Sequence, residues 1–262
     1  MPPLFRTSTR ALTRRCFHPL PTFHLHKAPP FFTHRPRLVS DIPANKDTSY
    51  LPDDKWHFRG IYESLERSKE DKWGWVIYRT TYKDDAGWER FKSYVKKWSY
   101  ADLSQPGIPR GLSPADWTFI SDPVLDGASR EQLRHHFREW RKTAWNAENP
   151  RKTETFPPKR GMSALNLRYI TFIQVDEESL DSVLDGTGDD FDPAWVNLIR
   201  CDDDHDIGVQ PPFRHSNDQW VVDEGWMMVA ASSMRSEFYC TVGNLDDFWR
   251  VYYQAPPEVV WD

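Results

Sequence analysis

The chain has 262 residues, of which 39% are hydrophobic and 15% aromatic, so it has enough apolar material for one large domain or two small ones. Residues 1–40 hold seven Lys or Arg and no acid. The rest of the chain holds 27 bases and 39 acids, so its net charge is −12. This acidic body disfavours nucleic acid as the main partner, because a duplex-binding protein neutralises phosphates with clustered Lys and Arg.

The first 17 residues, MPPLFRTSTRALTRRCF, have the composition of a mitochondrial presequence, rich in Arg, Ser and Thr. On a helical projection the apolar residues share one side and three of the four arginines another, with Arg15 on the apolar side. We expect mitochondrial import; the alternatives are a cytoplasmic protein with a basic arm, or a start codon placed too early. Residues 18–52 are dotted with Pro and His, so residues 1–52 are expected to be a disordered leader and linker.

All thirteen Trp residues lie at or beyond Trp56, which predicts a single folded domain over residues 53–262. Within it, WGWVIYRTTY is apolar on both sides at its centre, as an interior strand would be. Asp84 follows where a helix N-cap belongs. Four apolar residues then recur on one face of a helix, Trp88, Phe91, Val95 and Trp98. Their spacing predicts that these aromatic residues are core.

A weak strand, DWTFIS, and a basic helix, ASREQLRHHFREWRKTAW, come next. Ser129 and Gln132 form a capping box, and the helix has an apolar stripe of Leu133, Phe137 and Trp140. The opposite side is predicted to carry four arginines, Arg130, Arg134, Arg138 and Arg141. They are a candidate docking surface for an acidic protein partner, although a solvated helix face explains them too. A flexible insertion rich in Pro, Lys and Arg is predicted near residues 146–163.

The C-terminal half begins with a strand and a helix in LRYITFIQVDEESLDSVL, with Asp176 as the expected cap. Two strands follow in AWVNLIRC and WVVDEGWMMVAA, then a short helix, SSMRSEFYC, and an extended piece, FWRVYYQ. This βαββαβ order is that of a ferredoxin-like unit. We expect an α+β domain with a mostly antiparallel mixed sheet and helices on one face. No run of about 18 apolar residues occurs, so no helix is expected to cross a bilayer.

Several segments together resemble an uncharacterised family of filamentous-fungal proteins. They are WGWVIYRTTYKDDAGWERF, LDGASREQLRHHFREW, DEESLDSVL, DEGWMMV and VYYQAPPEVVW. The resemblance spans roughly residues 56–262 and implies a single soluble domain in a fungus. It implies no activity and no binding residues.

The sequence contains no motif for a metal, a nucleotide or a catalytic nucleophile. CDDDHDIGVQPPF alternates aspartates as an EF-hand loop does, but Ile207 and Phe213 stand where that loop needs Gly and Glu. The motifs GxSxG, HExxH, GxGxxG and GxxxxGK are absent from the sequence, so neither a cofactor nor a metal is predicted. Three scattered cysteines indicate reduced thiols, of which Cys201 and Cys240 are expected to be buried.

Two functional hypotheses remain after these exclusions. The first is a non-catalytic binding or interaction module imported into mitochondria. The second is an enzyme without a recognisable motif, whose aromatic-lined pocket over the sheet would include Tyr78, Arg79 and Trp226. For Arg79, an ion pair with a carboxylate such as Asp85 is the simpler interpretation. The sequence predicts no oligomeric state.

Overall fold

The computed structural model describes residues 55–103, 108–109, 112–152, 167–185, 194–201, 213–214, 220–244 and 248–261. They all belong to a compact unit that spans Lys46–Asp262. The predicted leader and linker, residues 1–52, and the acidic loop from Asp202 lie outside the described residues.

Helices and strands are interspersed along this unit. The helices, in chain order, are α1 (Trp56–Ser68), α2 (Asp85–Leu103), α3 (Arg130–Glu148), α4 (Leu167–Ile170), α5 (Glu177–Asp185), α6 (Ser236–Asn244) and α7 (Phe248–Tyr252). The strands are β1 (Val76–Arg79), β2 (Thr118–Ile120), β3 (Thr171–Val175), β4 (Trp195–Arg200), β5 (Phe213–Arg214), β6 (Trp220–Val221), β7 (Trp226–Ala230) and β8 (Val259–Val260). Strands β5 and β6 form a hairpin, and the other six form one sheet in the order β2-β1-β3-β4-β7-β8.

The six-stranded sheet is mixed, so the predicted α+β class is confirmed. Strand β1 is parallel to both β2 and β3, and β7 is parallel to β8. The pairs β3–β4 and β4–β7 are antiparallel. In this sheet parallel pairs therefore outnumber antiparallel ones, contrary to the expected mostly antiparallel sheet. The reason is that α2 and α3 serve as the long crossovers that parallel neighbours require.

Helices cover both faces of the sheet, which corrects the expectation of one covered face. Ile77 of β1 belongs to a core that also contains residues of α1, α2, α5, α6 and α7. Its neighbours Val76 and Tyr78 belong to a second core with Phe137 of α3. Because successive strand residues point to opposite faces, β1 is buried on both sides.

The strands that the C-terminal half contributes to the six-stranded sheet keep the βαββαβ order, but β5 and β6 lie between β4 and β7 in the chain, and the last strand is β8. The FWRVYYQ segment, expected to be extended, forms α7 instead. Strands β3 and β4 are joined by α5 and still lie side by side and antiparallel. The strand arrangement therefore differs from that of a split βαβ unit, in which the strands joined by a helix are parallel.

The predicted aromatic core at the start of the domain is confirmed. Trp75 and Trp88 are each 2% exposed, and Phe91 is fully buried. The Trp88 and Phe91 rings stack with their centroids 5.2 Å apart. Asp84 caps α2, because its Oδ1 accepts a hydrogen bond from the Gly87 N–H at 2.7 Å. The side chain of Trp98 lies outside the described residues.

The first residues of the predicted flexible insertion, residues 146–163, belong to the folded structure instead. Helix α3 extends to Glu148, and Asn149 is fully buried. The Asn149 Oδ1 atom accepts a hydrogen bond from the Asp71 N–H, and Lys152 Nζ lies 2.8 Å from Glu70 Oε1. These contacts connect the end of α3 to the loop before β1. The part of the insertion beyond residue 152 lies outside the described residues.

A buried charge network ties α3, α4 and β2 together. Arg168 is 1% exposed, and its Nε and Nη2 atoms each lie 2.7 Å from an oxygen of Glu148. It also donates to the Asp116 carbonyl oxygen and to Thr118 Oγ1. Burial raises the pKa of the Asp116 carboxyl, but hydrogen bonds from Lys72 and Thr118 and the Arg168 charge outweigh burial and lower that pKa below its usual range.

Gly74 is required where the chain enters β1. Its φ of +114° is rarely adopted by L-residues, and a Cβ there would lie 2.6 Å from the Asp116 carbonyl oxygen. We expect Gly74→Ala to lower the free energy of unfolding by about 3 kcal/mol. Gly127 has φ +64° and nothing within 4 Å of its would-be Cβ, so Gly127→Ala should cost only about 1 kcal/mol. Urea denaturation measures the free energy of unfolding of both variants. Equal losses would contradict the close contact between Gly74 and the backbone of Asp116.

Candidate functional site

An open cleft of about 580 Å³ lies at the carboxyl ends of the parallel strands β1 and β3. Thr80 follows β1 directly, Asp176 follows β3 directly, and residues 127–131 contribute the entry to α3. The chain continues from β1 toward the edge strand β2 on one side of the cleft, and from β3 toward β4 on the other side. Ligands in α/β sheets bind at such points of divergence, outside the carboxyl ends of the strands.

The start of α3 is fixed against the end of β1. The Gly127 N–H donates to the Thr80 carbonyl oxygen at 3.0 Å. Ser129 Oγ accepts from the Gln132 N–H, and Gln132 Oε1 accepts from the Ser129 N–H at 2.8 Å, which confirms the predicted capping box. The first N–H groups of α3 have no acceptor within the helix, and the helix dipole adds partial positive charge there. This end of α3 therefore favours an anionic group in the cleft.

Gln174 is a buried wall residue of the cleft with an unused hydrogen-bond acceptor. Its side chain is only 6% exposed, and its Nε2 donates to Thr80 Oγ1 at 3.3 Å and to the Ala128 carbonyl oxygen at 3.4 Å. Thr80 Oγ1 donates its own proton to the Val175 carbonyl oxygen, so both contacts of Nε2 are acceptors and the amide orientation is fixed. Gln174 Oε1 has no hydrogen-bond partner among the described residues and is closed off from solvent. A buried acceptor without a partner is costly to the folded state.

Arg130 and Trp226 form the other side of the cleft. The Arg130 guanidinium carbon lies 3.4 Å from the centroid of the Trp226 ring, and Trp226 Nε1 donates to Glu224 Oε2 at 2.9 Å. Burial lowers the pKa of Arg130 from its usual value, while the charges of Asp176 and Glu224 raise it. Its Nε has no hydrogen-bond partner in the described part of the chain. The guanidinium is thus held by stacking, and its Nη groups, unlike the buried Nε, are the donors open to a ligand.

Asp176 and Arg134 hold the cleft in shape. Asp176 Oδ1 accepts from the Ser179 N–H and its Oδ2 from Asn197 Nδ2, each at 3.0 Å, which confirms Asp176 as the predicted cap of α5. Arg134 is 7% exposed and donates to the carbonyl oxygens of Arg200, Glu224 and Gly225. Those bonds fix the turn that presents Trp226. Both residues also line the cleft.

The four arginines proposed for docking do not form one exposed face, which corrects that prediction. Arg134 and Arg141 are buried, and Arg141 Nη1 donates to the carbonyl oxygens of Tyr169 and Cys201 at 3.1 and 2.7 Å. Positions 134, 137 and 141 follow helical spacing, so both arginines lie on the side of Phe137 that faces the sheet. Arg130 and Arg138 are half-buried, and Arg138 lies 3.5 Å from Glu131. Only Arg130 and Arg134 line the cleft.

The three predicted pocket residues are not brought together. Tyr78 is fully buried under α3, with its hydroxyl 3.0 Å from His136 Nδ1. Arg79 is 5% exposed on the opposite side of β1, and its Nη2 lies 2.6 Å from Asp85 Oδ1, so the predicted ion pair is confirmed. Trp226 alone of the three lines the cleft. The sequence analysis did not identify Gln174 as a site residue. The available signal was a polar side chain within a strand that is buried along its whole length.

The described ranges contain no candidate metal site. No group of three or more His, Cys, Asp or Glu residues is arranged there to hold a metal ion. Cys201 and Cys240 are buried and not in a disulfide, as predicted. None of the helices in the described ranges is long and apolar enough to span a membrane.

The fold and the site define a class of protein: an α+β domain with helices on both faces of a mixed sheet and an open polar cleft at the carboxyl edge of its parallel strands. In comparisons with known proteins, the chain matches no family model, no curated protein and no solved structure. The residues of the cleft are therefore the basis for inferring its function.

Proposed function

We propose that this protein is a non-catalytic binding module that holds a small polar ligand in the cleft and works in mitochondria. The observation that carries the proposal is the Arg130 guanidinium group, which lines the cleft stacked on Trp226 and has no hydrogen bond or ion pair among the described residues. A guanidinium group that is not paired with a protein carboxylate can bind an anionic group of a ligand. The location supports the same conclusion, because the cleft lies where the connections from β1 and β3 diverge.

The polar groups of the cleft favour binding over a reaction. The described lining residues include three carboxylates and two guanidinium groups, but no His, Cys, Lys or Tyr. The carboxylate of Asp176 is engaged in capping α5 and in holding Asn197. The alternative, an enzyme with an aromatic-lined pocket, depended on Tyr78, Arg79 and Trp226, and of these only Trp226 lines this cleft. The binding module therefore remains the better supported of the two.

Binding is tested by equilibrating the full chain with the small-molecule fraction of mitochondria and identifying the retained compounds by mass spectrometry. At least one compound should be enriched on the wild-type protein and lost from Arg130→Ala. Lys142→Ala is the matched control, because it removes a charge from α3 outside the cleft and should retain the compound. Equal retention by all three proteins would place the binding elsewhere and contradict the proposal.

Mitochondrial location rests on the sequence of the leader and is tested separately. A fluorescent protein fused to residues 1–55 should enter mitochondria because a cationic amphipathic segment is drawn across a membrane with a negative-inside potential. The control is the same fusion with glutamate at the four leader arginines, Arg6, Arg10, Arg14 and Arg15, which should stay in the cytosol. A uniform cytosolic signal from the unmutated fusion would contradict this location. The resemblance to the fungal family remains a prediction.

A further inference from the structure

We propose that the ligand of the cleft is a small monocarboxylate, an organic acid that carries one carboxylate and no phosphate; this inference rests on the binding function proposed above. The carboxylate would be bound by Arg130 at the start of α3. The cleft volume of about 580 Å³ leaves room for the organic body of such a ligand. The ligand class follows from the donors of Arg130, the N–H groups beside it, and the charges of the lining residues.

Arg130 presents a pair of donors to the cleft. It is half-buried and has no hydrogen bond or ion pair among the described residues. Its Nη groups are open, unlike the buried Nε, and two N–H groups of a planar guanidinium match the two oxygens of a carboxylate. Stacking on Trp226, with the guanidinium carbon 3.4 Å from the ring centroid, already orders this side chain. Little conformational freedom is therefore lost when a ligand binds.

The loop before α3 lacks the free N–H groups that a phosphate site uses. Three successive N–H groups of this loop donate to acceptors within the protein, those of Gly127, Ala128 and Ser129. Phosphate sites at the start of a helix cradle the anion with successive N–H groups of the preceding loop. The capping box also uses the Gln132 N–H, which leaves the N–H groups of Arg130 and Glu131 in the described first turn. These few donors suit the two oxygens of a carboxylate better than the three of a phosphate.

The charges of the lining residues favour a monoanion over a dianion. Three carboxylates line the cleft, those of Glu131, Asp176 and Glu224. Arg134 lies 3.5 Å from Glu131 and donates to three carbonyl oxygens, so Arg130 is the cation directed to the ligand. Asp176 and Glu224 then outnumber Arg130, and the repulsion of a ligand by this net negative charge doubles when the ligand changes from a monoanion to a dianion. Charge-assisted hydrogen bonds to Arg130 are expected to offset the smaller repulsion.

The test is nuclear magnetic resonance of the Trp226 indole N–H in the full chain, assigned by its loss in Trp226→Phe. The probes are butyrate, butyramide and propyl phosphate, which share a propyl body and differ in the head group, and all are titrated at one ionic strength. Butyrate should shift the resonance to saturation, at a Kd about tenfold or more below those of butyramide and propyl phosphate. Either of these binding as tightly as butyrate, or the lack of a saturable shift with butyrate, would overturn the inference.

Variants of Arg130 separate a ligand role from a structural one. Arg130→Gln should raise the Kd of butyrate about tenfold, and Arg130→Lys about threefold, because lysine keeps the charge but not the planar fork. Lys142→Gln removes a charge from α3 outside the cleft and should leave this Kd unchanged. The thermal midpoint of Arg130→Gln should stay close to that of the wild type, because Arg130 is not paired. A large drop would assign Arg130 a structural role and overturn its part in binding.

Glu224→Gln tests the selection by charge. The glutamine can still accept the hydrogen bond from Trp226 Nε1, but one negative charge beside the stacked pair of Arg130 and Trp226 is removed. Propyl phosphate should gain more affinity than butyrate, so the ratio of their Kd values should fall about threefold. An unchanged ratio would contradict the exclusion of phosphate by charge.

The retained mitochondrial compound separates this inference from the binding function. If that compound depends on Arg130 but carries no carboxylate, the monocarboxylate inference fails and the binding function stands. If no compound depends on Arg130, both fail.

Discussion

Replacing Arg168 by Met is expected to lower the free energy of unfolding by about 4 kcal/mol, because the substitution leaves the largely desolvated Glu148 without its closest cationic partner. Arg168 is 1% exposed and contacts both oxygens of Glu148 at 2.7 Å. It also holds β2 through the Asp116 carbonyl oxygen and Thr118 Oγ1. Breaking one side of such a pair costs far more than the pair contributes, because the remaining charge stays desolvated. Urea denaturation measures the change.

The matched control for Arg168 is an exposed ion pair of α3. Lys142 lies 2.7 Å from Glu139, but both side chains are more than half exposed. Lys142→Met should therefore change the free energy of unfolding by less than about 1 kcal/mol. If Arg168→Met were as mild as Lys142→Met, the buried network would not be what holds α3 and α4 to β2.

Replacing Arg141 by Met is expected to lower the free energy of unfolding by about 3 kcal/mol, although Arg141 stands in a helix whose sequence is basic and amphipathic. Arg141 is 1% exposed, and its Nη1 bonds to the carbonyl oxygens of Tyr169 in α4 and of Cys201, which follows β4. Met fills much of the space but donates no hydrogen bond, so both carbonyl oxygens lose a charged donor. Thermal and urea denaturation should show the same loss.

Arg138 provides the comparison on the same helix. It is half-buried and lies 3.5 Å from the exposed Glu131, so Arg138→Met should cost less than about 1 kcal/mol. If the arginines of α3 formed one exposed docking face, neither Arg138→Met nor Arg141→Met would affect stability. A small effect of Arg141→Met would thus restore the docking interpretation.

Local patterns along the chain predicted the elements well. The spacing of Trp88, Phe91 and Val95 predicted the buried face of α2, and the capping box of Ser129 and Gln132 predicted the start of α3. Such features depend on neighbours within one or two turns, so the sequence alone contains them. The FWRVYYQ segment was one exception, because a short apolar run fits either an extended or a helical conformation. Helix α1 was not predicted, and residues 167–170 form α4 where the strand was expected to begin.

The sheet and the cleft depend on contacts between distant parts of the chain, and these could not be predicted. Parallel pairing of β1 with β2 and β3 follows from the crossovers over the two faces, which no local pattern fixes. The burial of Arg134 and Arg141 depends on carbonyl oxygens that lie at least 28 residues away. Gln174 belongs to the site because Thr80 and Ala128 meet it, and they lie 94 and 46 residues away.

A crystal structure of the full chain with the retained mitochondrial compound tests most directly whether the cleft at the carboxyl ends of β1 and β3 is a ligand site. We expect electron density for that compound beside Arg130 at the start of α3, with an acceptor of the compound within hydrogen-bond distance of the Arg130 guanidinium group. Density at any other place on the molecule, with the Arg130 guanidinium group still unpartnered, would contradict a ligand site in the cleft.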